Sequence, residues 1–230
     1  MAIFNPGVAV GQISGRVGGS VFSHNKGGPY IRNGTIPIQP STSYKDLAMN
    51  RLTVVSRQWA GLGEPGRQSW RTWANQNPIT NRLGKSILLS GNAAYIKLNT
   101  RLLASGDTVI AAPPAIAAPS PLLTFVATWD IGAGAFGGAF TVSPLGANLR
   151  LWVWGAVLDS PGARFVKNVW RLVEVTTKAF ATPVVCDTTF PARFGTMVVG
   201  QHAFIKLQVF DSTTGLLSGP IEANGTIATT

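Results

Sequence analysis

Gly84-Lys85-Ser86 is the tripeptide that closes a phosphate-binding loop, where backbone amides cradle phosphates and the lysine reaches the terminal ones. That loop also requires a glycine five positions before Gly84, and Ile79 stands there. The glycines at 7, 11, 15, 18, 19, 27, 28 and 34 do not make a dinucleotide site, because strands do not alternate with helices around them. The histidines His24 and His202 have no second His or Cys at ligand spacing, so no zinc set is expected. Cys186 is the single cysteine; it excludes an intrachain disulfide, and no neighbouring base would make it a nucleophile. It reads as a small buried residue, and His202 as an exposed or half-buried strand residue. No G-x-S-x-G elbow presents a serine. The carboxylates Asp130, Asp159, Glu174, Asp187, Asp211 and Glu222 are scattered, and Asp159 and Asp211 fall in turn signals. The sequence therefore predicts a protein that is not an enzyme, with no catalytic residues, no metal and no cofactor.

What remains is charge. The 230 residues carry a net +10 with only 12% charged residues, about half the usual share. Residues 1–107 hold twelve of the nineteen Lys/Arg and three of the nine Asp/Glu, so +9 of the charge lies there. Such a half implies an anionic partner, either nucleic acid or an acidic protein surface. Arg51, Arg57, Arg67, Arg71, Arg82 and Lys85 are the candidate anion contacts, and Lys97 and Arg101 extend the same positive field. Trp59, Trp70 and Trp73 beside them fall on apolar helical faces and read as core rather than as base-stacking platforms. No helix-turn-helix, zinc-finger or RNA-recognition signature accompanies them.

The elements that would position these groups are legible from spacing. Residues 1–40 are a Gly-rich extended arm with kinks or short strands, interspersed with Val8, Val10, Ile13, Val17, Val21 and Phe22. Residues 41–106 form a basic region of three short helices. Ser43 and Asp46 make a capping signature, and Tyr44, Ala48, Leu52, Val55 and Trp59 line one face. Gly61 and Gly63 stop that helix, Glu64-Pro65 starts the second and Asn77-Pro78 ends it. Ser90 caps the third, whose apolar line is Ala94, Tyr95, Leu98 and Leu102, with Gly106 at its end. Residues 107–121 are a Pro/Ala linker, stiff through Pro113, Pro114, Pro119 and Pro121.

Residues 122–230 alternate as strands do, at 122–129, 136–143, 148–157, 166–176 and 202–211. Ala203, Ile205, Leu207 and Val209 share one face of the last. The expected class is α+β: arm, three-helix region, then an antiparallel β-sandwich of immunoglobulin or fibronectin type. No secretory signal and no membrane-spanning stretch is read, so synthesis in the cytoplasm without membrane contact is expected.

One resemblance cuts across these elements. The stretch Gly11-Gln12-Ile13-Ser14-Gly15-Arg16-Val17-Gly18-Gly19-Ser20-Val21-Phe22, followed by Gly27-Gly28-Pro29-Tyr30-Ile31-Arg32, resembles the opening of proteins from tailed bacteriophages and prophages. Asn81-Arg82-Leu83-Gly84, Leu89-Ser90-Gly91, Ala94-Tyr95 and Leu98-Asn99 continue the likeness, which covers about residues 10–104. The resemblance implies a virion component, made in the host cytoplasm, that meets other virion proteins or copies of itself. Virion arms lock neighbours, so Arg16, Phe22, Tyr30 and Arg32 are the candidate assembly contacts. The alternative is a nucleic-acid-binding protein that uses its basic half.

Overall fold

The computed structural model describes residues 2–3, 7, 12–25, 28–35, 42–80, 86–115, 117–131, 135–160, 162, 166 and 169–229. The fold is α+β, with helices and antiparallel sheets, and the chain divides into two units, Met1–Asp46 and Leu47–Thr230.

In the first unit, β1 (Ala2–Ile3), β2 (Gly15–Val17), β3 (Ser20–Asn25) and β4 (Gly28–Asn33) form a sheet in the order β1-β4-β3-β2. The segment expected as an extended arm with kinks or short strands thus has, among its described residues, short strands that fold back on one another as a sheet. Gly18, at φ +56°, takes the left-handed turn between β2 and β3. Val21 lies opposite Arg16 on one side and Arg32 on the other.

Helix α1 (Ser43–Gly61) begins one residue earlier in its capping than the sequence suggested. Thr42 is the cap: its hydroxyl accepts the Lys45 amide at 3.3 Å and its carbonyl accepts the Asp46 amide at 2.9 Å. Ser43 becomes the first helical residue, and Asp46 sits where the helix dipole favours an acid.

The second unit opens with the rest of α1, followed by α2 (Glu64–Gln76), the small ladder β5 (Ile79–Thr80) with β6 (Ser86–Ile87), and α3 (Gly91–Ala104). Ser90 caps α3, its Oγ accepting the Ala93 amide at 3.2 Å. Val55, Trp70, Ala74, Ala94, Tyr95 and Leu98 make one buried cluster. Trp70 meets Tyr95 edge-on at 5.3 Å between ring centroids, and Trp59 meets Tyr95 at 5.4 Å. Gly91 permits α3 to touch α2, since a Cβ there would lie 2.8 Å from the Arg71 amide nitrogen.

The Pro/Ala segment 107–121 is tied to these helices along its first half. Asn99, fully buried, grips Ile110 through both backbone groups at 2.8 and 3.2 Å. The indole nitrogens of Trp70 and Trp73 donate to the carbonyls of Ala111 and Pro114 at 2.8 and 2.9 Å.

Seven strands follow: β7 (Thr124–Asp130), β8 (Ala135–Thr141), β9 (Leu149–Leu158), β10 (Arg171–Val175), β11 (Val184–Val185), β12 (His202–Asp211) and β13 (Ile221–Thr226). A short helix α4 (Thr189–Phe194) precedes β12. They form two antiparallel sheets, β11-β8-β7 and β10-β9-β12-β13. Their facing sides share one core: Phe136 and Phe140 from β8, Val184 from β11, Leu151 and Val153 from β9, and Ala203, Ile205, Leu207 and Val209 from β12. The alternation expected along 202–211 is therefore the one that fills the core. On the opposite side of the four-stranded sheet, Trp152 and Phe210 pack on Leu102 of α3. Trp152 Nε1 donates to Ser105 Oγ at 2.9 Å, so the helical layer and the sheets are joined within one unit.

Candidate functional site

The four proposed assembly residues all lie in the small N-terminal sheet. Strand register puts Arg16, Tyr30 and Arg32 on one face, since Arg16 and Arg32 flank Val21 and Tyr30 lies opposite Ser23. Phe22 lies on the other face, opposite Ile31 and Gly15. Arg16 and Arg32 are exposed, and the Arg16 Nε donates to the Gly18 carbonyl at 3.1 Å. Tyr30 and Phe22 are half-buried.

The anion-contact candidates are dispersed. Arg51 is half-buried and Arg57 exposed, both on α1. Arg67 reaches back from α2 and its Nη2 donates to the Ala60 carbonyl at 2.7 Å, capping the end of α1. Arg71 pairs with Glu64 on its own helix and donates to Gln68 Oε1 at 3.2 Å. Arg82 and Lys85 lie outside the described residues. Two of the four described candidates therefore use their guanidinium groups on structural partners.

The groups that sequence offered for chemistry are engaged in packing. His202 is buried, at 2% exposure, rather than exposed or half-exposed: its Nε2 meets Asn224 Oδ1 at 3.1 Å and its ring packs on Phe204. Cys186 is fully buried, and burial, reinforced by the charge of Glu174, pushes its thiol up to about 12. A neutral thiol without access is not a nucleophile. Among the described residues no three His, Cys, Asp or Glu side chains gather in a metal-holding group. Among the same residues, no helix is long and apolar enough to cross a membrane.

Two kinds of surface stand out instead. The first half of α1 leaves Leu47, Met49, Leu52 and Val54 between 41% and 54% exposed, with Tyr44 at 53%. Leu52 was expected on the packed face with Val55 and Trp59; only the latter two reach the helical core. The face of β7 and β8 turned away from the core carries Thr124, Val126, Ala139 and Thr141, and Val126 is 68% exposed.

Sequence reasoning did not isolate a third feature. Lys97 and Arg101, one turn apart on α3, line a cleft of about 400 Å3 with Trp73, Ile79, Leu216 and Gln208. In the sequence they counted merely as two more positive charges. The i, i+4 spacing of two cations beside Leu98 and Leu102 was the available signal.

No family model, curated protein or solved structure matches the chain.

Proposed function

We propose that this chain is a non-catalytic structural protein of a tailed-phage virion, capsid-associated or an accessory of the head–tail junction or tail, that docks on the acidic surface of a neighbouring subunit. The observation that carries the reading is the exposed first half of α1. Four large apolar side chains, Leu47, Met49, Leu52 and Val54, are held in water on one helix. On the helix Leu47 and Val54 share one side and Met49 and Leu52 another, so this stretch offers apolar surface on two sides, and apolar surface left in water is a cost that burial against a partner removes. Lys45, Arg51 and Arg57 outnumber Asp46 on the same helix, which favours an acidic partner over a second copy of this basic chain.

Two further features support the reading. The first, second and fifth strands of the C-terminal region make one sheet and the third, fourth, sixth and seventh the other. That division suits a fibronectin-like or immunoglobulin-like sandwich, an architecture shared by many cell-surface contact domains. The Gly-rich N-terminal segment, with Arg16, Tyr30 and Arg32 on one face of its sheet, serves as the arm that engages the same neighbour.

The test is an immunoblot of gradient-purified particles from producing cells. Wild-type protein co-sediments with particles, and the double variant Leu47→Glu/Leu52→Glu, equally stable in solution, does not. Absence of the wild type from particles rejects the reading. A purified protein that carries nucleic acid at low salt and sheds it at high salt supports the nucleic-acid-binding alternative instead.

A further inference from the structure

Lys97 and Arg101 form a cation pair without an anion. They follow each other by four residues on α3, a spacing that brings side chains together on one helix face. Both line the cleft of about 400 Å3, and both are partly buried. Among the described residues neither pairs with a carboxylate nor donates a hydrogen bond, whereas Arg71, Arg150 and Lys178 are all in ion pairs. The acid at the end of the same helix, Asp107, is occupied by Arg150 and Lys178.

Such an arrangement is unfavourable when empty. Burial lowers the affinity of both groups for their protons, and the Arg101 charge lowers that of Lys97 further. Like charges at this helical spacing also repel. Partly buried cations ordinarily find a counter-charge. Here the remaining walls are apolar or neutral: the ring of Trp73, Ile79 and Leu216, with Gln208 from β12. The Gln208 amide is itself committed, its Nε2 donating to the Ser218 carbonyl at 3.0 Å. The cleft thus has charged donors at one wall and an aromatic and aliphatic lining elsewhere, the composition of a site for an amphipathic small molecule.

We infer that this cleft binds a small organic anion, a carboxylate or phosphate group on an apolar ring-sized body, with Arg101 and Lys97 clamping the anionic oxygens. The planar guanidinium offers paired donors to either oxyanion, and the ammonium adds a mobile point charge. The apolar body lies against Trp73, Ile79 and Leu216. A volume of about 400 Å3 admits a body of this size and falls in the range of small-molecule pockets. The site does not depend on the assembly surface of α1, so the two readings stand or fall separately.

The experiment is thermal unfolding and calorimetric titration of the full chain with three probes: benzoate, phenyl phosphate and, as the uncharged isostere, benzyl alcohol. Benzoate or phenyl phosphate raises Tm in a saturating manner with a Kd at or below about 1 mM, and benzyl alcohol leaves it unchanged. Which of the two anions binds more tightly assigns the headgroup. Lys97→Met leaves the free protein as stable or more so, because an uncompensated cation is gone, and weakens the anion at least tenfold. Lys97→Arg, which keeps the charge, retains binding and guards against a merely structural effect. The inference is overturned if neither anion binds, if benzyl alcohol binds equally well, or if Lys97→Met unfolds more easily while its anion affinity is unchanged.

Discussion

Arg150 and Asp107 meet in a two-point ion pair, Nε on Oδ2 at 3.1 Å and Nη2 on Oδ1 at 3.0 Å. Asp107 follows α3 and Arg150 lies on β9, so the pair fastens the start of the Pro/Ala segment to the four-stranded sheet. Arg150 Nη1 also donates to the Thr176 carbonyl at 3.1 Å, and Lys178 approaches Asp107 at 3.6 Å. The Asp107 side chain is only 7% exposed, so it cannot be rehydrated easily if its partner is removed. Arg150→Ala is expected to cost about 3 kcal/mol, the lower end for breaking a buried pair, because Lys178 still approaches the Asp107 carboxylate. The double variant Arg150→Met/Asp107→Leu recovers most of that loss, because no charge remains to desolvate. Urea unfolding of the three proteins measures both steps.

Asn99 makes the second attachment of the same segment. Its Oδ1 accepts the Ile110 amide and its Nδ2 donates to the Ile110 carbonyl, in a site with no exposure. Asn99→Leu keeps the number and branching of the side-chain heavy atoms but leaves both Ile110 groups unsatisfied, at about 1–3 kcal/mol each. Hydrogen exchange at Ile110 reads the effect locally: protection falls in the variant while the core strand β12 remains protected.

These two attachments also mark where sequence reasoning stopped. The helices were legible because breakers stand at their ends: Gly61 and Gly63, Pro65, Asn77-Pro78, Ser90 and Gly106 bracket segments whose apolar residues recur at helical spacing. Strand β12 was legible because Ala203, Ile205, Leu207 and Val209 alternate over ten residues. Strand β13, Ile-Glu-Ala-Asn-Gly-Thr, has little intrinsic strand preference and exists through its pairing with β12. Strand β11, with two residues, and α4, with six, are too short to carry a periodic signal. Prolines in 107–121 announced stiffness, but the bonds that fix the segment come from Asn99, Trp70 and Trp73, whose partners no local pattern names. The Lys97–Arg101 cleft needed the fold for the same reason: Leu216 and Gln208 lie more than a hundred residues away along the chain.

Two glycines in the helical layer separate propensity from packing. Gly66 lies inside α2 with only ordinary contact beyond it, Leu62 Cδ2 at 3.7 Å from a built Cβ. Gly66→Ala should stabilise the protein by about 0.5–1 kcal/mol, since alanine restricts the unfolded chain and favours helix. Gly91 lies at the start of α3, where the same change drives a methyl group into the Arg71 backbone, at 2.8 Å from its nitrogen. Gly91→Ala should therefore destabilise by about 1–3 kcal/mol, despite the better helix former. Thermal melts of the two single variants are expected to move in opposite directions.

The buried thiol gives the protein an alkaline limit. Cys186 has no exposure, shares the buried core with Phe136 and Phe190, and its thiol is pushed up to about 12, first by burial and then by the Glu174 charge. In the unfolded chain the same thiol ionises at its ordinary value near 9.0. Between those two values the folded protein holds a proton that the unfolded chain has released, so stability falls as pH rises through that window. Below it both states are protonated and Cys186 contributes no pH dependence. The slope from this one group approaches about 1.4 kcal/mol per pH unit at mid-window. Cys186→Ala removes that slope, at the cost of a smaller core residue, so comparing the two proteins at pH 8 and pH 10.5 isolates the thiol from the cavity. The same burial predicts that a thiol-reactive disulfide reagent at pH 8 releases no chromophore from the native protein within minutes and one equivalent after unfolding in guanidinium. Rapid labelling of the native protein would mean that the core around Cys186 opens far more often than its packing allows.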